Sequence, residues 1–336
     1  MLFLILSILA GALTTFIALP LAMEFLKSSG VIGIDQQKKD KPKLPTSGGI
    51  AVIAGFFIAT TFFIGLHTFF PGAEISNSLV LAALSSVLII SMIGLVDDIH
   101  VKDQEEKVKE EQQLSVGFRS WWIKPILALP AALPLMVVKA GHAVMHFPIL
   151  GKVTWGFLYP LVLVPMAVVG VSNATNMLAG QNGLEAGTGS VALTALGLFA
   201  FLNGSIEGAI VALGMAFPLI AFLRYNWYPA EILPGDSLTY AVGSAFVSTT
   251  VIANIEKFAI FIFLPWLLEG FLKARSGFKA SSLGNPGFDG SLSSKHRSIY
   301  SITHLFMEFD LTEEQLVLAM IGVETALCIL AFLVFL

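Results

Sequence analysis

The chain reads as an all-α integral membrane protein with about ten transmembrane helices and an active site built from the loops on one side. Three observations predict this. Apolar runs at roughly 1–23, 48–71, 78–96, 121–138, 154–172, 187–203, 206–223, 237–253, 257–272 and 315–336 recur along the whole sequence. Each is long enough, or nearly so, to cross ~30 Å of hydrocarbon as a helix. Hydrophobic residues make up 56% of the chain and charged ones 12%, against about a quarter charged in a soluble domain. The chemistry-bearing residues fall in the odd-numbered connections, while the even-numbered ones are short and nearly featureless.

The runs use up most of 1–336, so one polytopic domain is expected, with no soluble domain beside it. The first run has no basic segment before it, is longer than the core of a signal peptide, and meets its first basic residue only at Lys27. It reads as an uncleaved first span. The single cysteine, Cys328, lies inside the last run, where it can form no intrachain disulfide and reads as inert core. No internal repeat is visible, which argues against an inverted-repeat transporter.

Orientation follows from the basic residues. Sixteen of the 19 Lys and Arg fall in the odd-numbered connections, leaving Lys139, Lys152 and Lys257 on the other side. The positive-inside rule makes the loaded side cytoplasmic, and an even number of spans then puts both termini outside. The cytoplasmic loops are about 24–47, 97–120, 173–186, 224–236 and 273–314.

The first loop holds DQQKKDKPKLPTSGG (35–49), whose lysines suit phosphate or simply anionic lipid headgroups. GLVDDIH (94–100) closes the third run with Asp97 and Asp98. Carboxylates at a span end are costly to bury and oppose the helix dipole there, so a cavity or site explains them better than capping does. The stretch KDQEEKVKEEQQ (102–113) reads as a solvated helix or excursion without a catalytic role. NATNMLAGQNGLEAG (173–187) concentrates amides and glycines with no basic residue, suited to ligating a hard cation or reading a base by hydrogen bonds. RYNWYPAEILPGDSLTYAVG (224–243) puts Asp236 at the start of the eighth run, where it is either the helix N-cap or a Mg²⁺ ligand held by a proline-stiffened loop. The ninth loop, rich in Gly and Ser, is expected to be irregular with minor β structure, and Lys295-His296-Arg297 in it are suited to phosphate. No zinc spacing, Walker loop or nucleophile elbow is present. Acids for a divalent metal and bases for phosphate, on one face of a membrane domain, point to phosphoryl transfer between a soluble nucleotide and a lipid. A transporter would instead place its charges near the bilayer midplane.

These motifs, in this order and over nearly the whole chain, resemble the polyprenyl-phosphate N-acetylhexosamine-1-phosphate transferases. NGLEAG and NWYPxxxxxGD are the specific ones, and they look closer to the eukaryotic and archaeal dolichyl-phosphate branch than to the bacterial phospho-MurNAc-pentapeptide branch. The resemblance implies transfer of GlcNAc-1-phosphate from UDP-GlcNAc to a polyprenyl or dolichyl phosphate, releasing UMP, with Mg²⁺ (Mn²⁺ as a substitute). It implies an archaeal cell membrane or an endoplasmic reticulum membrane, no nucleic-acid partner, and leaves room for a homodimer. Residue by residue, it implies metal ligands at Asn176 and Asp236, and the acidic pair and active-site lysine at Asp97, Asp98 and Lys124. Trp121 falls near the acetamido pocket; Gly180, Asn182 and Glu185 fall in the uridine-binding motif; Lys295, His296 and Arg297 match an Arg-His-Arg that grips diphosphate and sugar. Two departures stand out: Lys295 loses a bidentate fork, and Thr46 replaces a first-loop acid. The expected mechanism is direct attack by the lipid phosphate, with Asp97 taking a residual proton and Asp98 positioning Lys124 or a metal-bound water; a two-step route through an aspartyl-phosphate is the alternative.

Overall fold

A computed structural model describes residues 1–71, 74–107, 123–147 and 151–336. In chain order the helices are α1 (Leu2–Ser28), α2 (Gly49–Phe69), α3 (Asn77–Lys107), α4 (Ile123–Ala128), α5 (Leu133–Val137) and α6 (Val164–Met177). They continue as α7 (Leu184–Leu202), α8 (Ile206–Asn226), α9 (Gly235–Ala253), α10 (Glu256–Ile262), α11 (Leu264–Arg275), α12 (Ile302–Met307) and α13 (Glu313–Phe335). Every apolar run carries helix. Among the described residues, seven segments are long and apolar enough to cross a membrane: α1, α2, Asn77–Ile99 of α3, Tyr159–Met177, α7, α8 and α13.

The other three runs fall short for separate reasons. The fourth is cut into α4, a 3₁₀ turn (Leu129–Ala132) and α5, with Pro130 and Pro134 at the breaks. Proline removes a helical N–H and clashes with the turn before it, which favours a break at these two closely spaced positions. The ninth is split at Phe263, ahead of Pro265, into α10 and α11. The eighth, α9, is unbroken but rich in Ser and Thr; it is buried throughout from Ser237 to Thr249. A helix with neighbours on all sides needs no lipid-compatible face. In contrast, α1 and α13 leave Leu9, Leu13, Ile17 and Leu21, and Leu330 and Leu333, exposed on their outer faces, as lipid-facing helices do.

Packing around α9 sets the position of everything chemical. Gly94 of α3 lies so close to the start of α9 that a Cβ there would sit 2.6 Å from the Asp236 carbonyl. Gly243 of α9 lies equally close to α6, where a Cβ would sit 2.5 Å from Ser172 Cα. Only glycine allows both approaches. They hold α3 against the first turn of α9 and α6 against its middle.

Three antiparallel hairpins decorate the helices: β1 (Ile32–Ile34) with β2 (Lys43–Pro45), β3 (Val144–Phe147) with β4 (Gly151–Thr154), and β5 (Gly284–Pro286) with β6 (Leu292–Ser294). The last supplies the minor β structure expected in the ninth loop. That loop also contains α12, capped by the Ser301 hydroxyl, so it is not wholly irregular. The fourth connection is not featureless: β3–β4 occupies it and delays the next helix to Tyr159, five residues past the expected start at 154. Helix α3 runs on to Lys107, and the rest of the charged stretch 102–113 lies outside the described residues.

Candidate active site

Three helix ends meet the middle of α3 at one ion cluster. Lys124, in the first turn of α4, places its ammonium 2.5 Å from Asp97 Oδ2 on α3 and 3.0 Å from Asp236 Oδ2 on α9. Asn176, near the end of α6, accepts at Oδ1 from the Thr239 hydroxyl at 3.0 Å and lies beside the Asp236 carboxylate, favouring its charged form. Burial presses the Asp236 carboxyl upward, but Lys124, Asp97 and Asn176 outweigh it and hold it below the usual carboxylate range.

The two adjacent acids do different work. Asp98 Oδ1 accepts the Asp236 N–H at 2.7 Å, and its Oδ2 accepts the Ser237 N–H at 3.3 Å and the Ser47 hydroxyl at 2.9 Å. It satisfies the orphan donors of the first turn of α9 from another helix, at the positive end of that dipole. Asp236, in contrast, is not the cap. Helix α9 begins behind Pro234 without a local side-chain cap, and the Asp236 carboxylate is free to face Lys124 and Asn176. Of the two roles expected for Asp98, positioning Lys124 or a metal-bound water, no direct contact with Lys124 is formed; Asp98 bonds the α9 backbone.

An open cavity of about 960 Å³ lies over this cluster. All five odd-numbered connections line it, through Asp35 and Thr46, Asp97 and Lys124, Asn173 and Asn182, Gly235 and Asp236, and Lys273 and Ser281 among others. A second pocket of about 200 Å³ shares Asp97 and Lys124 with the first, but its other walls are Met92, Ile93, Val96, Leu127 and Tyr240. Met92 and Val96 are among the most exposed apolar side chains of α3. The cluster thus stands where a cavity lined in part by charged and amide side chains meets an almost wholly apolar, lipid-side one. Tyr240, one turn past Asp236, is buried there with its hydroxyl lacking a well-formed hydrogen bond, beside the Asn176 amide and in the field of Asp236 and Lys124. It went unnoticed in the sequence because an aromatic in an apolar run reads as core.

The amide-rich loop forms a second wall. Gly180, at φ +116°, donates its N–H to Glu185 Oε1 at 2.8 Å, and its carbonyl accepts from Gln37 Nε2 at 3.0 Å. Glu185 is buried in the first turn of α7 with its other oxygen unpartnered. The Asn182 side chain donates to Asp35 Oδ2 at 3.1 Å and accepts from the Ala230 N–H at 3.1 Å. Asp35 and Gln37, though buried in the first loop, carried no distinguishing signal among the lysines around them.

The ninth-loop bases are not brought to the cluster. Lys295 and Arg297 are exposed, His296 is half-buried beside the Tyr300 and His304 rings, and none of the three lines the large cavity. Trp121 lies outside the described residues. What does reach the cavity from this region is Lys273, whose ammonium donates to the Ala280 carbonyl at 2.8 Å and pairs with buried Glu269 at 3.5 Å. Burial lowers the Lys273 pKa, with Glu269 opposing. Glu269 also accepts from the Ser282 and Ser301 hydroxyls and the Ile302 N–H, tying α11 to the loop. Glu269 and Lys273, four residues apart at the end of an otherwise apolar run, were the available signal for this anchor.

Whether Mg²⁺ suits these residues can be tested on the donor set. Among the described residues no group of three His, Cys, Asp or Glu could enclose a metal. Mg²⁺ does not require one, since it binds through one or two carboxylates and completes its shell with water and substrate phosphates. The Asp236 carboxylate beside the Asn176 amide meets that requirement. Two carboxylates (Asp97 and Asp236) against the single ammonium of Lys124 also leave a surplus of negative charge that a divalent cation offsets.

Comparison with known proteins agrees with this architecture. Residues 80–254 match the family described as glycosyl transferase family 4. A Sulfolobus acidocaldarius protein provisionally named UDP-N-acetylglucosamine–dolichyl-phosphate N-acetylglucosaminephosphotransferase is 33% identical over 97% of this chain and 94% of its own length. The Dictyostelium discoideum protein of that name is 26% identical over 77% of this chain and 68% of its own. A phospho-N-acetylmuramoyl-pentapeptide-transferase from Latilactobacillus sakei is 28% identical over 78% and 79%. With the match extending over most of the helices that build the ion cluster, and with a relative aligned almost end to end, the chain belongs to glycosyl transferase family 4.

Proposed function

We propose that this chain transfers N-acetylglucosamine-1-phosphate from UDP-GlcNAc to a polyprenyl phosphate of the dolichyl type, releasing UMP and leaving a lipid-diphosphate-sugar. The observation that carries this reading is the junction at Asp97 and Lys124, shared by a cavity of about 960 Å³ and an apolar pocket of about 200 Å³. A nucleotide sugar fits the former, and a prenyl chain entering from the lipid side fits the latter. The two reacting phosphates then meet at the ammonium that both pockets share. The names of the archaeal and Dictyostelium relatives support the same substrates.

In this reading an oxygen of the lipid phosphate attacks the β-phosphorus of UDP-GlcNAc, and the bond from that phosphorus to the bridging oxygen breaks as UMP leaves. The acceptor has a second pKa near ~6 and is largely ionised at neutral pH. A strong base is not required; aligning and neutralising the phosphates is. Lys124 supplies charge at the junction, and Asp97 is placed to take a residual acceptor proton. Asp98 fixes α9, and so Asp236. Asp236 and Asn176 would hold Mg²⁺, which when bound neutralises charge on the diphosphate. Lys295, His296 and Arg297 stand outside the cavity wall, so their grip on the diphosphate requires the ninth loop to close over it.

The whole of 1–336 forms one multi-pass membrane domain in this reading. The odd-numbered loops face the cytoplasm, as the distribution of Lys and Arg supports. Purified protein incubated with Mg²⁺, a panel of UDP-sugars and polyprenyl phosphates should release UMP fastest with UDP-GlcNAc and a dolichyl-type acceptor. UMP release from another UDP-N-acetylhexosamine alone would change the donor, and none from any pair would sink the reading.

A further inference from the structure

The turn carrying Asn182 is held by a buried ionic lock that the chemistry described above does not use. Lys38, from the first connection, is largely buried between two carboxylates, Asp35 Oδ2 at 3.2 Å and Glu313 at the start of α13. Its ammonium also lies 4.5 Å from the centre of the Tyr228 ring. Both acids then grip the same residue. Asp35 accepts from the Asn182 side-chain amide at 3.1 Å, and Glu313 Oε1 accepts the Asn182 backbone N–H at 2.7 Å.

Such an arrangement is costly. Three ionisable groups withdrawn from water lose solvation that their mutual attraction only partly restores, so stability is a weak explanation for the lock. Its geometry offers a better one. Segments 147 and 131 residues away in sequence converge on one amide and one N–H, both belonging to a residue on the cavity wall. No member of the lock borders the apolar pocket. Whatever the lock positions concerns the occupant of the large cavity.

We infer that Asp35, Lys38 and Glu313 are positioning residues for the nucleotide, holding Asn182 and its turn in the attitude that binds the nucleoside. The last helix, peripheral to the chemistry, thereby sets donor affinity through Glu313. This rests on the nucleotide-sugar reading proposed above.

The test compares wild type with Lys38→Met and Lys38→Arg in UMP release, varying each substrate in turn, together with calorimetric binding of UDP-GlcNAc without lipid. Lys38→Met should raise the KM and Kd for UDP-GlcNAc by ~10-fold, with kcat and the KM for polyprenyl phosphate little changed. Lys38→Arg, which keeps the charge, should recover most of that loss. Because Lys38→Met strands two acids, Lys38→Met/Glu313→Gln removes opposite charges together and serves as the folded control; it should also weaken UDP-GlcNAc. Unchanged donor affinity in a folded Lys38 variant, or an equal rise in both KM values, overturns the inference alone. Wild type that neither binds UDP-GlcNAc nor releases UMP overturns the proposed function and the inference with it.

Discussion

The helix-end cluster and the ninth-loop cluster are built from similar residues and stand in opposite physical states. At the helix ends, Lys124 touches two carboxylates on two other helices, and the cluster lies at the junction of two pockets. In the ninth loop, Lys295 and Arg297 are exposed and border neither pocket. The first set is positioned by packing that cannot shift without opening the α3–α9 and α6–α9 contacts at Gly94 and Gly243. The second lies in irregular backbone just after β6, so only a loop movement is needed to change its neighbours. A preorganised cluster is suited to holding charge where it develops, and a mobile one to capturing or closing over a substrate.

The sharpest way to break this comparison is at Asp236 and Asn176. Asp236→Ala and Asn176→Ala should each lower kcat/KM at least ~10²-fold, measured as UMP release at saturating Mg²⁺. Full activity in either would remove the helix-end cluster from the chemistry. Next in size is Asp97→Asn. If Asp97 only relieves the acceptor of a proton, activity should recover as pH rises above the acceptor's pKa of roughly 6. A loss of turnover at every pH, with a trappable phospho-GlcNAc adduct on wild-type enzyme without lipid, would point to a covalent route instead. Asp98→Asn should not show that recovery, because its carboxylate serves the α9 backbone and the acceptor is not its partner.

Smaller effects are expected in the ninth loop. Lys295→Ala and Arg297→Ala should each cost about 10-fold, mainly in the KM for UDP-GlcNAc, and the loss should shrink at high salt because both are exposed. A kcat defect as large as that of Asp236→Ala would show that the loop is as preorganised as the helix ends. The smallest effect is a pH dependence. His304 is buried, with Nδ1 accepting the Tyr300 N–H at 3.3 Å and Nε2 facing the Ser281 carbonyl at 3.0 Å, a pairing that only the neutral ring satisfies. Burial, then Lys273 and His296, lower its pKa from 6.5 to about 4. The folded loop therefore binds fewer protons than the unfolded one between those values. Its stability should be full above about pH 6.5 and fall as pH drops toward 4. Hydrogen exchange over residues 281–304 should accelerate across that window in wild type and less in His304→Gln.

How far the sequence alone reached can be seen residue by residue. The apolar runs marked the helices because a helix satisfies its own backbone and needs only local composition to be recognised. The sequence also marked the carboxylates at run ends, the amide-rich turn and the family, since these are patterns along the chain. It could not separate Asp97 from Asp98, because the two differ only in what lies opposite: Lys124 for one, the first turn of α9 for the other. It left Asp236 balanced between cap and ligand for the same reason. The lock at Asp35, Lys38 and Glu313, the hydroxyl of Tyr240, and the position of Lys295 and Arg297 outside the cavity were likewise decided by tertiary structure alone. Each depends chiefly on contacts between residues far apart in the sequence, or on their absence, and such contacts are set by helix packing and carry no local signature.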